Sequence, residues 1–236
     1  MAAVPAATLA ALALALALHL GLQWHRPPPK AQAGDLPVPP ALAVLRVAAL
    51  GEPIGLAQIL TLWLQAFDNQ PGVSIPFAEL DYPRVAGWLD RILGLDPAGQ
   101  YPVLMASHVY GQVYGHPEKS RFMAEFVLEK FLEDPGRRWP WLAHSAIMAK
   151  HRLRDLPLAV RYADALRDHA RGPGVPGWAR QMHIFLREDL GEYEAARVLL
   201  GGLLASGTLT DPSEIRFLTE RLERLQPHRP STGNTP

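Results

Sequence analysis

An all-α fold of stacked helical hairpins is what this sequence predicts, and three observations predict it. From Ala41 onward apolar residues recur at helical spacing, and nowhere do β-branched residues alternate in the manner of strands. Aromatic anchors stand at Tyr101, Trp141 and Trp178, a recurrence in the high thirties that marks repeated helical pairs. Prolines and acidic caps punctuate the apolar segments where helices start and stop.

The 236 residues suffice for one domain of ordinary size or two small ones, with a sizeable core. Lys and Arg number 23, as do Asp and Glu, so the formal net charge is zero. With no long basic run either, a nucleic-acid partner is not expected. Cysteine is absent, which excludes disulfides, thiol catalysis, c-type haem attachment and Cys-ligated zinc. The bias towards Ala, Leu, Pro, Gly and Arg points to a GC-rich bacterial genome.

Residues 1–24 hold an almost unbroken Ala/Leu run from Pro5 to Leu22, interrupted by Thr8 and His19. Its length matches the hydrocarbon core of a bilayer, and Trp24, Arg26 and Lys30 follow it as interfacial residues. A membrane anchor through residues 5–24 is the leading reading. A cleaved signal peptide is the second, since Ala31-Gln32-Ala33 before Gly34 resembles a cleavage site. A buried soluble helix is the third. Residues 25–40 form a proline-rich linker, expected to stay extended and hold the folded part off the bilayer.

Residues 41–225 carry the helical periodicity. Leu42, Leu45 and Ala49 make a short stripe, and Pro53 opens a helix running to Phe67. Residues 69–76 read as a loop. A helix from Tyr82 to Leu95 follows, stopped at Asp96-Pro97. Three pairs come next: Ala98–Tyr114 with Glu118–Leu132, Trp139–Arg152 with Pro157–Ala170, and Pro176–Asp189 with Glu192–Ala205. Asp211 and Pro212 then cap and open a last helix to Leu225, whose Glu220, Arg221, Glu223 and Arg224 suit a polar terminal face. Residues 226–236 are expected to be a disordered tail.

These residues resemble tetratricopeptide repeats. Gly191-Glu192-Tyr193-Glu194-Ala195-Ala196 is similar to that family's second-helix start, and Trp178, Met182 and Phe185 fill first-helix positions. Trp141, Ser145, Met148 and Ala159 match the unit before, with Arg154 where the family has glycine. Tyr101, Met105, His108, Gly115, Ser120 and Asp134-Pro135 match the unit before that. The resemblance spans residues 53 to 205 in degenerate form. It implies a TPR-like right-handed superhelix acting as a binding scaffold.

Catalytic signatures are missing from the sequence, and neither a cofactor nor a metal is expected. Met105/His108 and Met148/His151 share helix faces, but a metal site needs three or four convergent ligands. Ser107-His108 and His144-Ser145 are helical neighbours pointing about 100° apart, which is no relay. Glu79 and Asp81 read as capping acids.

Binding is the expected activity. The repeat register places Trp139, Leu142, Ala146, Ala149 and Lys150 on a concave wall, followed by Ala179, His183, Leu186 and Arg187. Such a wall, apolar with a basic edge, suits an amphipathic helix or a carboxylate-bearing peptide; the competing reading is a superhelix packed on itself. Arg137-Arg138 beside Trp139 and Trp141 could touch a membrane surface. The expected protein is a non-catalytic adaptor, single-pass in a bacterial inner membrane with a periplasmic domain, whose partner is another envelope or membrane protein. The alternatives are an envelope enzyme acting on glycan and an accessory subunit held through its transmembrane helix.

Overall fold

A computed structural model describes residues 5–24, 33–207 and 209–225. Among the described residues there are eleven α-helices and almost no strand. The expected tail at 226–236 and the linker segment 25–32 lie outside them.

Helix α1 (Ala6–Trp24) is long and apolar enough to cross a membrane, and its leucines from Leu9 to Leu22 are exposed. The second half of the expected linker is no spacer. Residues 33–40 run as a strap along α4 (Tyr82–Leu95), with Leu36 buried. Arg84 donates to the Leu36 carbonyl at 2.6 Å, Trp88 to that of Pro37 at 2.8 Å and Arg91 to that of Pro40 at 3.0 Å. An extended proline-rich backbone bonds none of its own carbonyls, so they are free to accept from the side chains of α4.

Helices α2 (Leu42–Ala48) and α3 (Pro53–Gln65) meet at 110°. Their corner holds Leu50 and Gly51, both at positive φ. Residues 69–76 are not only loop: β1 (Asn69–Gln70) and β2 (Val73–Ser74) pair antiparallel around Pro71 and Gly72. Pro followed by Gly at φ 79° is the chemistry of a type II turn, and strands this short carry no readable alternation. Phe77–Glu79 forms a 3₁₀ turn. Asp81 caps α4 by accepting from the Arg84 amide at 3.1 Å, whereas Glu79 caps no helix among the described residues.

The helix expected over Ala98–Tyr114 is shorter. Helix α5 (Tyr101–Leu104) widens into a π-helical turn at Met105–Val109, closed by the Tyr110 amide on the Met105 carbonyl. Gly111 follows it, at a position where a Cβ would lie 2.6 Å from the Ser107 carbonyl oxygen. Helices α6 (Pro117–Glu133), α7 (Pro135–His151), α8 (Leu156–His169), α9 (Gly177–Asp189), α10 (Tyr193–Ala205) and α11 (Pro212–Arg224) follow, each packed on its chain neighbours. Helix α7 starts at Pro135 rather than Trp139, since a proline in the first turn loses no hydrogen bond. Asp155 and Asp211 cap α8 and α11.

Three turns share one geometry. Gly115, Arg154 and Gly191, each ahead of a second helix of a pair, have φ of 78°, 52° and 85°. The main core runs from Leu36 through Leu89, Tyr110, Val127, Leu142 and Tyr162 to Leu186. A smaller cluster of Ile184, Ala196, Leu200 and Leu218 joins α9, α10 and α11.

Candidate partner-binding surface

The expected concave wall is mostly interior. Leu142, Ala146, Ala149 and Ala179 have no exposed surface, and His183 and Leu186 are buried at 4% and 5%. Helix α7 is flanked by α6, α8 and the π-helical turn, and α9 by α8 and α10, so those faces are covered. Trp139 lies edge-on to Trp178, with ring centroids 5.5 Å apart. The basic edge is committed as well. Lys150 pairs with Asp189 at 2.5 Å, and Arg187 bridges Asp164 at 2.6 Å and Glu192 at 3.0 Å. Arg138, expected near a membrane, is 2% exposed and bonded to the carbonyls of Lys130 and Pro97 and to Glu133.

What is open lies one layer further along the chain. A groove of about 470 Å³ runs between α9, α10 and the start of α11. Leu199, Leu203 and Leu209 give it apolar surface over the buried Ile184, and Arg167, Arg180 and Glu214 give it charge. Gln181 donates to Glu214 at 2.7 Å and joins α9 to α11. Gly177 permits that approach, because a Cβ there would sit 2.9 Å from Glu214 Oε1. Of the two guanidinium groups, Arg167 is held by Asp164 and Asp168. Arg180 is exposed and has no ion-pair partner among the described residues.

His183 is the one residue of the expected wall that lines this groove. Burial lowers its pKa, and the charges of Arg167 and Arg187 lower it further against the Arg180 carbonyl. Its Nδ1 lies 2.8 Å from that carbonyl, which can only accept, so the ring proton sits on Nδ1. The leucines of α10 and the pairing of α9 with α11 were not singled out in the sequence. The strong amphipathicity of α11 was the signal that another surface must cover it.

A second cluster sits at the π-helical turn. His108 stacks on His144, with centroids 3.8 Å apart, and meets Trp141 edge-on. Arg152 donates to Gln112 Oε1 at 3.4 Å, turning the amide NH₂ towards His144 Nε2 at 3.1 Å. Burial and the His108 ring push the His144 pKa down to about 4. Met105, the expected companion of His108, is buried in the core.

No group of three or more His, Cys, Asp or Glu that could hold a metal is found among the described residues. Glu118, Asp155, Asp168 and Asp211 are all held below the usual carboxylate range. Amide hydrogen bonds act first at Glu118 and Asp155, Arg167 at Asp168 and Ser213 at Asp211. Comparison with protein families, with curated proteins and with solved structures found no match for this chain.

Proposed function

We propose that this chain is a membrane-tethered, non-catalytic adaptor that holds a segment of another membrane or envelope protein in the groove between α9, α10 and α11. On this reading α1 is a single-pass anchor in a bacterial inner membrane, and the helical domain, a degenerate TPR-like superhelix, lies in the periplasm. The observation that carries the reading is the groove itself: surface of Leu199, Leu203 and Leu209 beside Arg180, a cation with no ion-pair partner among the described residues. Apolar surface beside an uncommitted guanidinium fits an amphipathic segment carrying a carboxylate. The three left-handed turns at Gly115, Arg154 and Gly191 support the repeat reading.

The test is purification of the full-length protein in mild detergent beside an Arg180→Glu, Leu199→Glu variant of unchanged helicity. A stoichiometric companion that the variant loses is the expected result. A companion retained by both would move the interface elsewhere, and no companion in either would remove the adaptor reading.

A further inference from the structure

Helices α2 and α3 are built unlike the rest of the domain. Between Ala41 and Phe67 the only charged residues are Arg46 and Glu52. Val44, Val47, Leu50, Ile54, Ile59 and Leu62 are all more than half exposed. A helix apolar on nearly every side belongs in a core or in lipid, yet only the inner side of α3, at Ala57, Thr61 and Leu64, is buried. At the corner Leu50 is 90% exposed and holds φ 49°, a conformation rare for a bulky residue. An apolar surface of this extent on a folded domain marks something it contacts.

The tether indicates what that is. Because residues 33–40 are strapped to α4, only residues 25–32 separate Trp24 from Ala33. Even fully extended, that stretch reaches at most roughly 32 Å. Its domain end is fixed on β1, just past the C-terminal end of α3: the Gly34 amide donates to Gln70 Oε1 at 2.7 Å, and Gln70 Nε2 returns a bond to the Gly34 carbonyl at 2.9 Å. The tether therefore keeps β1 and the C-terminal end of α3 within that reach of the point where α1 leaves the bilayer, and the corner lies one helix length, roughly 20 Å, away along α3. Arg46, with Arg26 and Lys30 of the tether, supplies cations suited to anionic headgroups.

We infer that the α2–α3 corner is a second membrane contact, lying in the interface of the same bilayer that α1 spans, with Val47, Leu50 and Leu62 among the lipid headgroups and upper acyl chains. It rests on the reading of α1 as a membrane span. The domain would then be held at two points, and the bilayer would orient it, with the α9–α11 groove at the far end of the helical stack.

The absence of cysteine in the chain makes the test direct. Single Val47→Cys, Leu62→Cys, Thr219→Cys and Leu14→Cys variants of the full chain, each carrying an environment-sensitive fluorophore, are placed in vesicles of neutral and anionic phospholipid. Val47, Leu62 and Thr219 are exposed, so the labels need displace nothing. Acyl-chain nitroxides should quench the labels at 14, 47 and 62 at least two-fold more than that at 219, with aqueous iodide doing the reverse. Labels at 47 and 62 that behave like 219 while 14 is quenched overturn the inference and leave the span intact. Labels at 47 and 62 shielded from both quenchers overturn it in favour of a second copy or a partner protein. An unquenched label at 14 overturns the inference together with the membrane reading beneath it.

Discussion

His108 lies almost flat on His144, the two rings 3.8 Å apart at their centroids and 18° from parallel. The pair joins the π-helical turn to α7, and Gln112, oriented by Arg152, turns its NH₂ towards His144 Nε2. A protonated ring would meet a donor there and a second imidazole over its face. Burial first, and then the His108 ring, push the pKa of folded His144 down to about 4, below the ordinary 6.5, so the unfolded chain takes up the proton first. Stability from this group is complete above pH 6.5, falls as the pH drops from 6.5 towards 4, and levels off below. Denaturant titrations at steps between pH 7.5 and 4.5 check this. His144→Gln should flatten the upper part of that slope, above the range in which carboxylates titrate; an unchanged slope would contradict the assignment.

Arg154 occupies the left-handed turn position that glycine fills at Gly115 and Gly191. A side chain there costs roughly 1–2 kcal/mol, partly offset by the greater unfolded-state freedom of glycine. Arg154→Gly should therefore raise stability by about 0.5 kcal/mol, and Gly191→Ala should lower it by about 1 kcal/mol. Thermal unfolding of both variants reads the two signs against each other.

Arg138 is buried and serves three acceptors, the carbonyls of Lys130 and Pro97 and the Glu133 carboxylate. Beside it, Lys130 is 5% exposed at its side chain and held by Asp90, Glu129 and Glu133. Burial works against the Lys130 ammonium, but the three carboxylates outweigh it and raise its pKa. Removing a buried guanidinium with its charged hydrogen bonds costs about 3 kcal/mol, so Arg138→Ala should lower the denaturant midpoint far more than Arg137→Ala, whose side chain is 56% exposed.

The strap predicts a local effect. Leu36→Ala removes a buried side chain, at about 2–3 kcal/mol if the cavity stays open. Detachment of residues 33–40 is the cheaper response. Hydrogen exchange should then rise first at the Trp88 indole N–H and the Gly34 amide, which the strap protects, leaving α8 protected; uniform loss of protection would contradict a separable strap.

Most of the helices could be read from the chain because their signals are local. Tyr82–Leu95 is the helix expected, and Pro53, Pro117, Pro157 and Pro212 all lie in first turns. Trp139 misplaced the start of α7, since Pro135 and the tolerated Pro140 both lie within that helix. The strap escaped detection because its partners, Arg84, Trp88 and Arg91, lie about 50 positions away in sequence. The wall failed for a similar reason. Register tells which way Leu142 and Ala146 point, but not that neighbouring helices cover them. The groove depends on α9 meeting α11 through Gln181 and Glu214, a contact that no periodicity encodes.

The adaptor reading stands on the groove, and site-specific photocrosslinking in cells addresses it most directly. A photoreactive residue replaces Leu203 in the groove or, as the control, Thr219 on the exposed side of α11. The account predicts one discrete crosslinked species from position 203, absent from 219 and lost when Arg180→Glu is added. The same species from both positions, or none from 203 in a folded and membrane-inserted protein, would contradict it.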